Sequence, residues 1–283
     1  MKEKKRLIII IIILSILLVL AGGYIAYDKL FLTEEPTNNQ TNSQENIEQE
    51  DEVNKDLIVK NLTNLLPRIK SLHKYETKID DFNKISNQDK LSIVGEYLAS
   101  RNGENLSEYF TSSKFSSVLK TEGFEKIFKN VTYKNEDFNC CEDRTPVHCH
   151  ILYTEENDLY TTSGENGHGG ASGPELFGSK LIEFKKNNNQ YELTFINYFV
   201  SHDEYGYYNK VYTKYIPDNE AVITVEESSV DEHDAHVAKL KKAIEEHKET
   251  LTNYDAYPKY KYIIELDENN NPLLVGYEFI EAK

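Results

Sequence analysis

The densest run of reactive side chains is Cys140-Cys141-Glu142-Asp143-Arg144-Thr145-Pro146-Val147-His148-Cys149-His150, which holds all three cysteines of the chain. Cysteine and histidine are the usual ligands of zinc, so a metal site is the first chemistry to weigh, with His168 as a further imidazole. The spacing opposes it. If Val147–Thr154 is a strand, Cys149 points to one face and His148 and His150 to the other. Pro146 marks a turn, and a bridge from Cys140 or Cys141 to Cys149 would close across it, leaving one thiol unpaired. Disulfide, buried thiols and metal remain the three readings of this run.

Other motifs imitate known sites and miss an essential residue. Gly173-Pro174-Glu175-Leu176-Phe177-Gly178-Ser179-Lys180 nearly spells a phosphate loop, but the Lys and Ser are exchanged and a strand is expected to follow. Gly170-Ala171-Ser172-Gly173-Pro174 fails as a nucleophile elbow because Pro174 stands where the last glycine belongs. Asp267-Glu268-Asn269-Asn270-Asn271-Pro272 with Glu278 resembles a calcium loop, yet a proline occupies the glycine position and the flanks alternate like strands. His233 and His236 share a helical face among acids but lack the H-E-x-x-H pattern. Tyr207, Tyr208 and Tyr212 sit in an aromatic stretch, where Tyr208 and Tyr212 share a strand face. They are the candidates for a glycan or peptide platform, because tyrosine joins an apolar ring to a polar tip. No cofactor is expected from any of these runs.

The elements that must position these residues follow from the wider pattern. The chain has 283 residues, 32 basic and 48 acidic, for a net charge of −16. Nucleic acid is not expected as a partner, because its recognition needs a basic field. The start, MKEKKRLIIIIIILSILLVLAGGYIAY, places four cations before a run from Leu7 to Tyr27 that has no charge. A helix of that length spans roughly 30 Å, the hydrocarbon thickness, and the basic flank keeps the N-terminus in the cytoplasm. Cleavage near Val19-Leu20-Ala21 as a signal peptide is the alternative, and either reading exports the remainder. Residues 28–283 carry 28 basic and 47 acidic groups, a net of −19.

Three regions are expected: a cytoplasmic stub and transmembrane helix over 1–31, a disordered acidic tether over 32–56, and an extracytoplasmic α+β domain over 57–283. In the domain, Leu57 to Leu72 recur at helical spacing with a break at Pro67. Ser86 and Asp89 open a second helix that Gly103 closes. Helical pieces are expected at Lys114–Lys120 and Glu122–Phe128, and strands at Val131–Phe138, Val147–Thr154 and Asp158–Thr162. Further strands are Ser179–Lys185, Tyr191–Val200, Tyr207–Tyr215, Ala221–Val225, Lys259–Leu266 and Leu273–Ile280. Asp231–Leu251 is an inserted helix whose stripe of Val237, Leu240, Ala243, Ile244 and Leu251 should cover the sheet. Helices followed by antiparallel sheet make the fold α+β.

The anchor and tether, with ISNQDKLSIVGEYL, EGFEKIFKNVTY, SKLIEFKKNNNQYELTFINYFV and YKYIIELDENNNPLLVGYEFI, resemble single-pass envelope proteins of low-GC Gram-positive bacteria. The resemblance implies placement in the cell membrane, with the C-terminal domain outside, and one α+β ectodomain. It carries no catalytic residues. The expected function is a membrane-anchored binding or interaction module, its partner an envelope protein or a glycan. An extracytoplasmic metal-dependent hydrolase using His148, His150 and His168 is the alternative.

Overall fold

The computed structural model describes residues 55–139, 150–162, 174–202, 208–215, 220–225 and 233–283, which form mixed helix and antiparallel sheet, an α+β fold. The expected anchor, and the expected tether up to residue 54, lie outside the described residues; residues 55 and 56, expected as the end of the tether, open the first helix. Among the described residues no helix is long and apolar enough to cross a membrane.

The helical layer comes first. Residues 55–62 form α1. The break expected at Pro67 is present: with no N–H to continue a helix, Pro67 sits in the first turn of a 3-10 helix, Leu66–Arg68. Lys70–His73 (α2) follows. Asn87–Asn102 (α3) starts where the Ser86 hydroxyl accepts the Asp89 amide at 3.1 Å, and ends at Gly103, whose φ of 73° suits glycine. Leu106–Thr111 (α4) is opened by a reciprocal capping box between Asn105 and Glu108. A helical run, α5, joins Ser116–Val118, a π-helical stretch Leu119–Phe124 and Glu125–Ile127.

A strand was expected at Val131–Phe138, but only Phe138–Asn139 (β3) enters a ladder. Side chains of the α3 entry replace the missing neighbour. Thr132 N donates to Asn83 Oδ1 at 2.9 Å and Lys134 N to Asn87 Oδ1 at 2.8 Å, while both asparagine amides donate back to Asn130 O and Lys134 O. Two asparagines thus satisfy the backbone that a strand would have paired.

Two sheets complete the body. The smaller has the order β2-β5-β4-β3, from Lys114–Phe115 (β2), His150–Thr154 (β4) and Leu159–Thr162 (β5) beside β3. The larger contains Lys78–Ile79 (β1), Glu175–Asn187 (β6), Gln190–His202 (β7), Tyr208–Tyr212 (β8), Ile223–Thr224 (β9), Lys259–Leu266 (β10) and Pro272–Ile280 (β11). β6 pairs with β7 from Asn187↔Gln190 to Glu175↔Val200. A strand has only two edges, so β10, paired to 190–195, and β8, paired to 199–202, must share the other one. The large sheet therefore forks at β7, between Phe195 and Phe199.

Alternation along β7 builds two cores. Tyr191, Leu193, Phe195 and Phe199 join the helical layer, with Ile58, Leu66, Ile69, Leu91 and Phe110. Ile196, Tyr198 and Val200 face the other way and pack with Val211 under Leu240 and Ile244 of the inserted helix His233–Thr250 (α6). The sheet is thus covered on both faces, and α6 lies where its stripe was expected.

Candidate functional site

The small sheet presents one face to the core and the other to water. Ile151 and Tyr160 are fully buried, and Phe138 with them packs on Phe110 at ring distances of 5.7 and 6.2 Å. Register places the opposite side chains together. Phe115 pairs with Leu159, Leu159 with Thr154, and Leu152 with Thr161, so these residues share the outer face with His150. Phe115 is 59% exposed and Leu152 38%, and they are the two large apolar side chains classed as exposed among the described residues. The Asn139 side-chain oxygen lies 2.8 Å from His150 Nδ1 and orients that ring at the end of the face.

The fork of the large sheet encloses a second cluster. Between the ends of β10 and β8, Asn197 projects toward α2 and its Nδ2 stands 3.3 Å from His73 Nε2. The Tyr262 hydroxyl is 2.9 Å from the same nitrogen. Rings of Phe199 and Tyr260 meet the imidazole edge-on at 5.1 and 5.0 Å. Tyr260 closes the fork, because its hydroxyl donates to Thr213 O and accepts from Tyr215 N, both at 3.1 Å. Burial first, and Lys70 second, lower the His73 pKa to about 3. The imidazole is therefore neutral, and at 1% exposure no solvent-borne substrate reaches it in this conformation. His73 Nδ1, Asn197 Oδ1 and the Tyr277 hydroxyl are buried without a hydrogen-bond partner among the described residues. The cluster closes a gap in the sheet and leaves part of its polar capacity unused.

A third group fastens α6. His247 lies between two phenols, Tyr198 at 3.0 Å from Nδ1 and Tyr257 at 3.4 Å from Nε2. A neutral imidazole donates through one nitrogen and accepts through the other, so the two phenols take opposite roles. Burial, then Lys180, keep His247 below the usual histidine range. Lys180 donates to the Lys248 and Leu251 carbonyls, which are orphan acceptors at the end of α6.

The residues singled out by sequence fall as follows. Cys140, Cys141, Cys149, His148, His168 and Tyr207 lie outside the described residues, as does the proposed bridge. His150 stands on the outer face of the small sheet, and Ile151 faces inward as alternation required. Tyr208 has a strand position opposite His202; Tyr212 pairs with Phe199 and is half-buried. Lys180 of the imitation phosphate loop belongs to β6 and caps a helix. The imitation calcium loop is a hairpin turn: Asp267 Oδ1 accepts the amides of Asn269 and Asn271 at 2.8 Å, while Glu278 is engaged with Lys261 at 2.8 Å on the strand. His236 faces the protein interior. Among the described residues no group of three or more His, Cys, Asp or Glu is placed to hold a metal ion.

Comparison with known protein-family models, curated proteins and solved structures finds no significant match, so the chemistry of the site rests on its own geometry. Phe115, Leu152 and His73 were not singled out by sequence. Leu152 had a signal, since an apolar residue beside Ile151 breaks strand alternation. His73 had one too, because it takes the helical position four after Ile69, where the stripe calls for an apolar residue.

Proposed function

We propose that the protein is a membrane-anchored binding module of the bacterial envelope, with its folded body outside the membrane and the outer face of the small sheet as its contact surface. The observation that supports this reading is the placement of exposed Phe115 and Leu152 on the same outer face of one sheet, with Leu159 of the intervening strand on that face. Grouped apolar side chains on the surface of a soluble body mark a contact region, because leaving them in water forfeits the gain from their burial. The anchor would confine that surface to the membrane plane and favour encounter with an envelope protein.

The test compares the native full-length chain with the Phe115→Ser/Leu152→Ser variant, both extracted from membranes in mild detergent. The native chain should retain a stoichiometric partner, and the variant should recover at least about tenfold less of it. Surface replacements of this kind change stability by roughly 0.5 kcal/mol or less, so both forms should melt together. Equal recovery, or no stoichiometric partner for the native chain, contradicts the reading.

A further inference from the structure

We propose that the outer face of the small sheet takes a basic, amphipathic segment of a partner protein, its apolar side chains seated on Phe115, Leu159 and Leu152 and its cations meeting the carboxylates around them. The inference rests on the binding-module reading and specifies the partner of that same surface.

The charge around the face carries the inference. Residues 135–139 and 150–162 contain five carboxylates, Glu136, Asp137, Glu155, Glu156 and Asp158, and no lysine or arginine. The one lysine on the strands of the small sheet, Lys114 of β2, pairs with inward-facing Tyr160 and is held away from the outer face, its ammonium donating to Ser112 Oγ at 2.8 Å and standing 4.6 Å from the Tyr109 ring centre. Two of these are engaged locally: Asp137 accepts the Tyr153 amide at 2.7 Å and Asp158 the Tyr153 hydroxyl at 2.8 Å. Glu155 and Glu156 stand exposed in the turn that joins β4 to β5, and Glu136 stands exposed beside β3. None of these three has a lysine or arginine partner among the described residues. Carboxylates of the large sheet are treated differently: Glu192 and Glu278 share Lys261, and Glu265 meets Lys129. The small sheet thus joins an exposed apolar strip to an unneutralised negative rim, and the complementary ligand is cationic and amphipathic.

The same charge disfavours the other occupants. A second copy would bring an identical acidic rim against this one, and like charges across an interface raise its energy. An anionic lipid surface would be repelled for the same reason.

The test uses the full chain in zwitterionic nanodiscs and two labelled peptides, one alternating lysine with leucine and one alternating glutamate with leucine. The lysine peptide should bind, and binding should weaken as salt screens the rim. Phe115→Ser/Leu152→Ser should weaken it at least about tenfold, and Glu155→Lys/Glu156→Lys should shift preference to the glutamate peptide. Phe115→Tyr keeps the ring and should bind nearly as the native chain, which separates loss of contact from loss of fold. Equal binding of both peptides to the native chain, or no response to Glu155→Lys/Glu156→Lys, overturns the inference. Failure here is distinguishable from failure of the broader reading. If the membrane-extracted partner is lost with Phe115→Ser/Leu152→Ser but kept with Glu155→Lys/Glu156→Lys, the contact surface stands and the charge assignment falls. If it is kept with both, both fall.

Discussion

Acidification from pH 6.5 toward pH 3 should destabilise the folded body steeply, and His73 should account for much of the loss. Its folded pKa lies at about 3 against the ordinary histidine value of 6.5, because burial and then Lys70 disfavour the charged ring. A depressed folded pKa means that the unfolded chain binds the proton first. The stability is complete above pH 6.5 and is lost as pH falls toward 3, at about 1.4 kcal/mol per pH unit and about 4–5 kcal/mol in all. That is a large share of the 5–15 kcal/mol that typically holds a domain together. His247, also lowered, adds a smaller loss of the same sign. Carboxyls held low by hydrogen bonds, such as Glu265 beside Lys129 and Gln190, lose their contribution at lower pH. The window from pH 6.5 to 4.5 is therefore the histidines' own. Urea midpoints of the full-length chain, followed by tyrosine near-ultraviolet circular dichroism, measure it. His73→Phe should be less stable at neutral pH, by about 1–3 kcal/mol, because it removes the partner of the Tyr262 hydroxyl and the Asn197 amide. It should also flatten the acid slope, so that the two curves approach each other as pH falls. Equal slopes for the two forms would contradict this account of the fork.

Gly123→Ala should be the most damaging of the glycine replacements in the helical layer. Gly123 lies in the π-helical stretch against α3, and an added Cβ would stand 2.4 Å from Val94 Cγ1 and 3.3 Å from Leu98 Cδ1. Alanine gains about 1 kcal/mol over glycine from helix propensity, but so close a contact within a packed core costs about 1–3 kcal/mol and reverses the sign. Gly95→Ala meets Leu106 Cδ1 at 2.7 Å and Phe138 Cε2 at 3.3 Å. It should cost less stability, since Leu106 lies near the surface of the core. Pressure on Phe138, however, bears on β3 and so on the small sheet that carries the contact face. Melting temperatures should fall by roughly 2–4 °C per kcal/mol lost. A Gly123→Ala chain as stable as the native one would show that α3 and α5 are less tightly packed than described.

Local pattern made much of the fold legible. The β6–β7 and β10–β11 hairpins announced themselves by alternation around asparagine-rich turns, where Asn188 and Asn270 take φ of 57° and 61°. α6 was legible from its narrow stripe, and Leu240 and Ile244 are fully buried. The fork was not, because it depends on which distant strands share one edge of β7, and no local signal records that choice. The π-helical stretch was read as a break between two helical pieces, because Leu119 and Phe124 stand five apart, one residue more than an ordinary helix allows on one face. The 131–137 segment misled because its apolar alternation matches a strand, while its amides are bonded by Asn83 and Asn87 from far along the chain. The contact face combined both difficulties. Leu152 was visible as a break in alternation, but Phe115 comes to the same face, two strands away, only through the pairing of β2 with β5 and β5 with β4.

Site-specific photo-crosslinking in intact cells tests the contact surface most directly. A benzoylphenylalanine at position 115 keeps an aromatic ring there, a second placement at 152 samples the same face, and position 242, exposed on α6, serves as the reference. Irradiation of cells carrying the full-length chain should give the same discrete adduct from 115 and 152 and none from 242. No adduct from either sheet position, or the same adduct from all three, would contradict the assignment of this face as the binding surface.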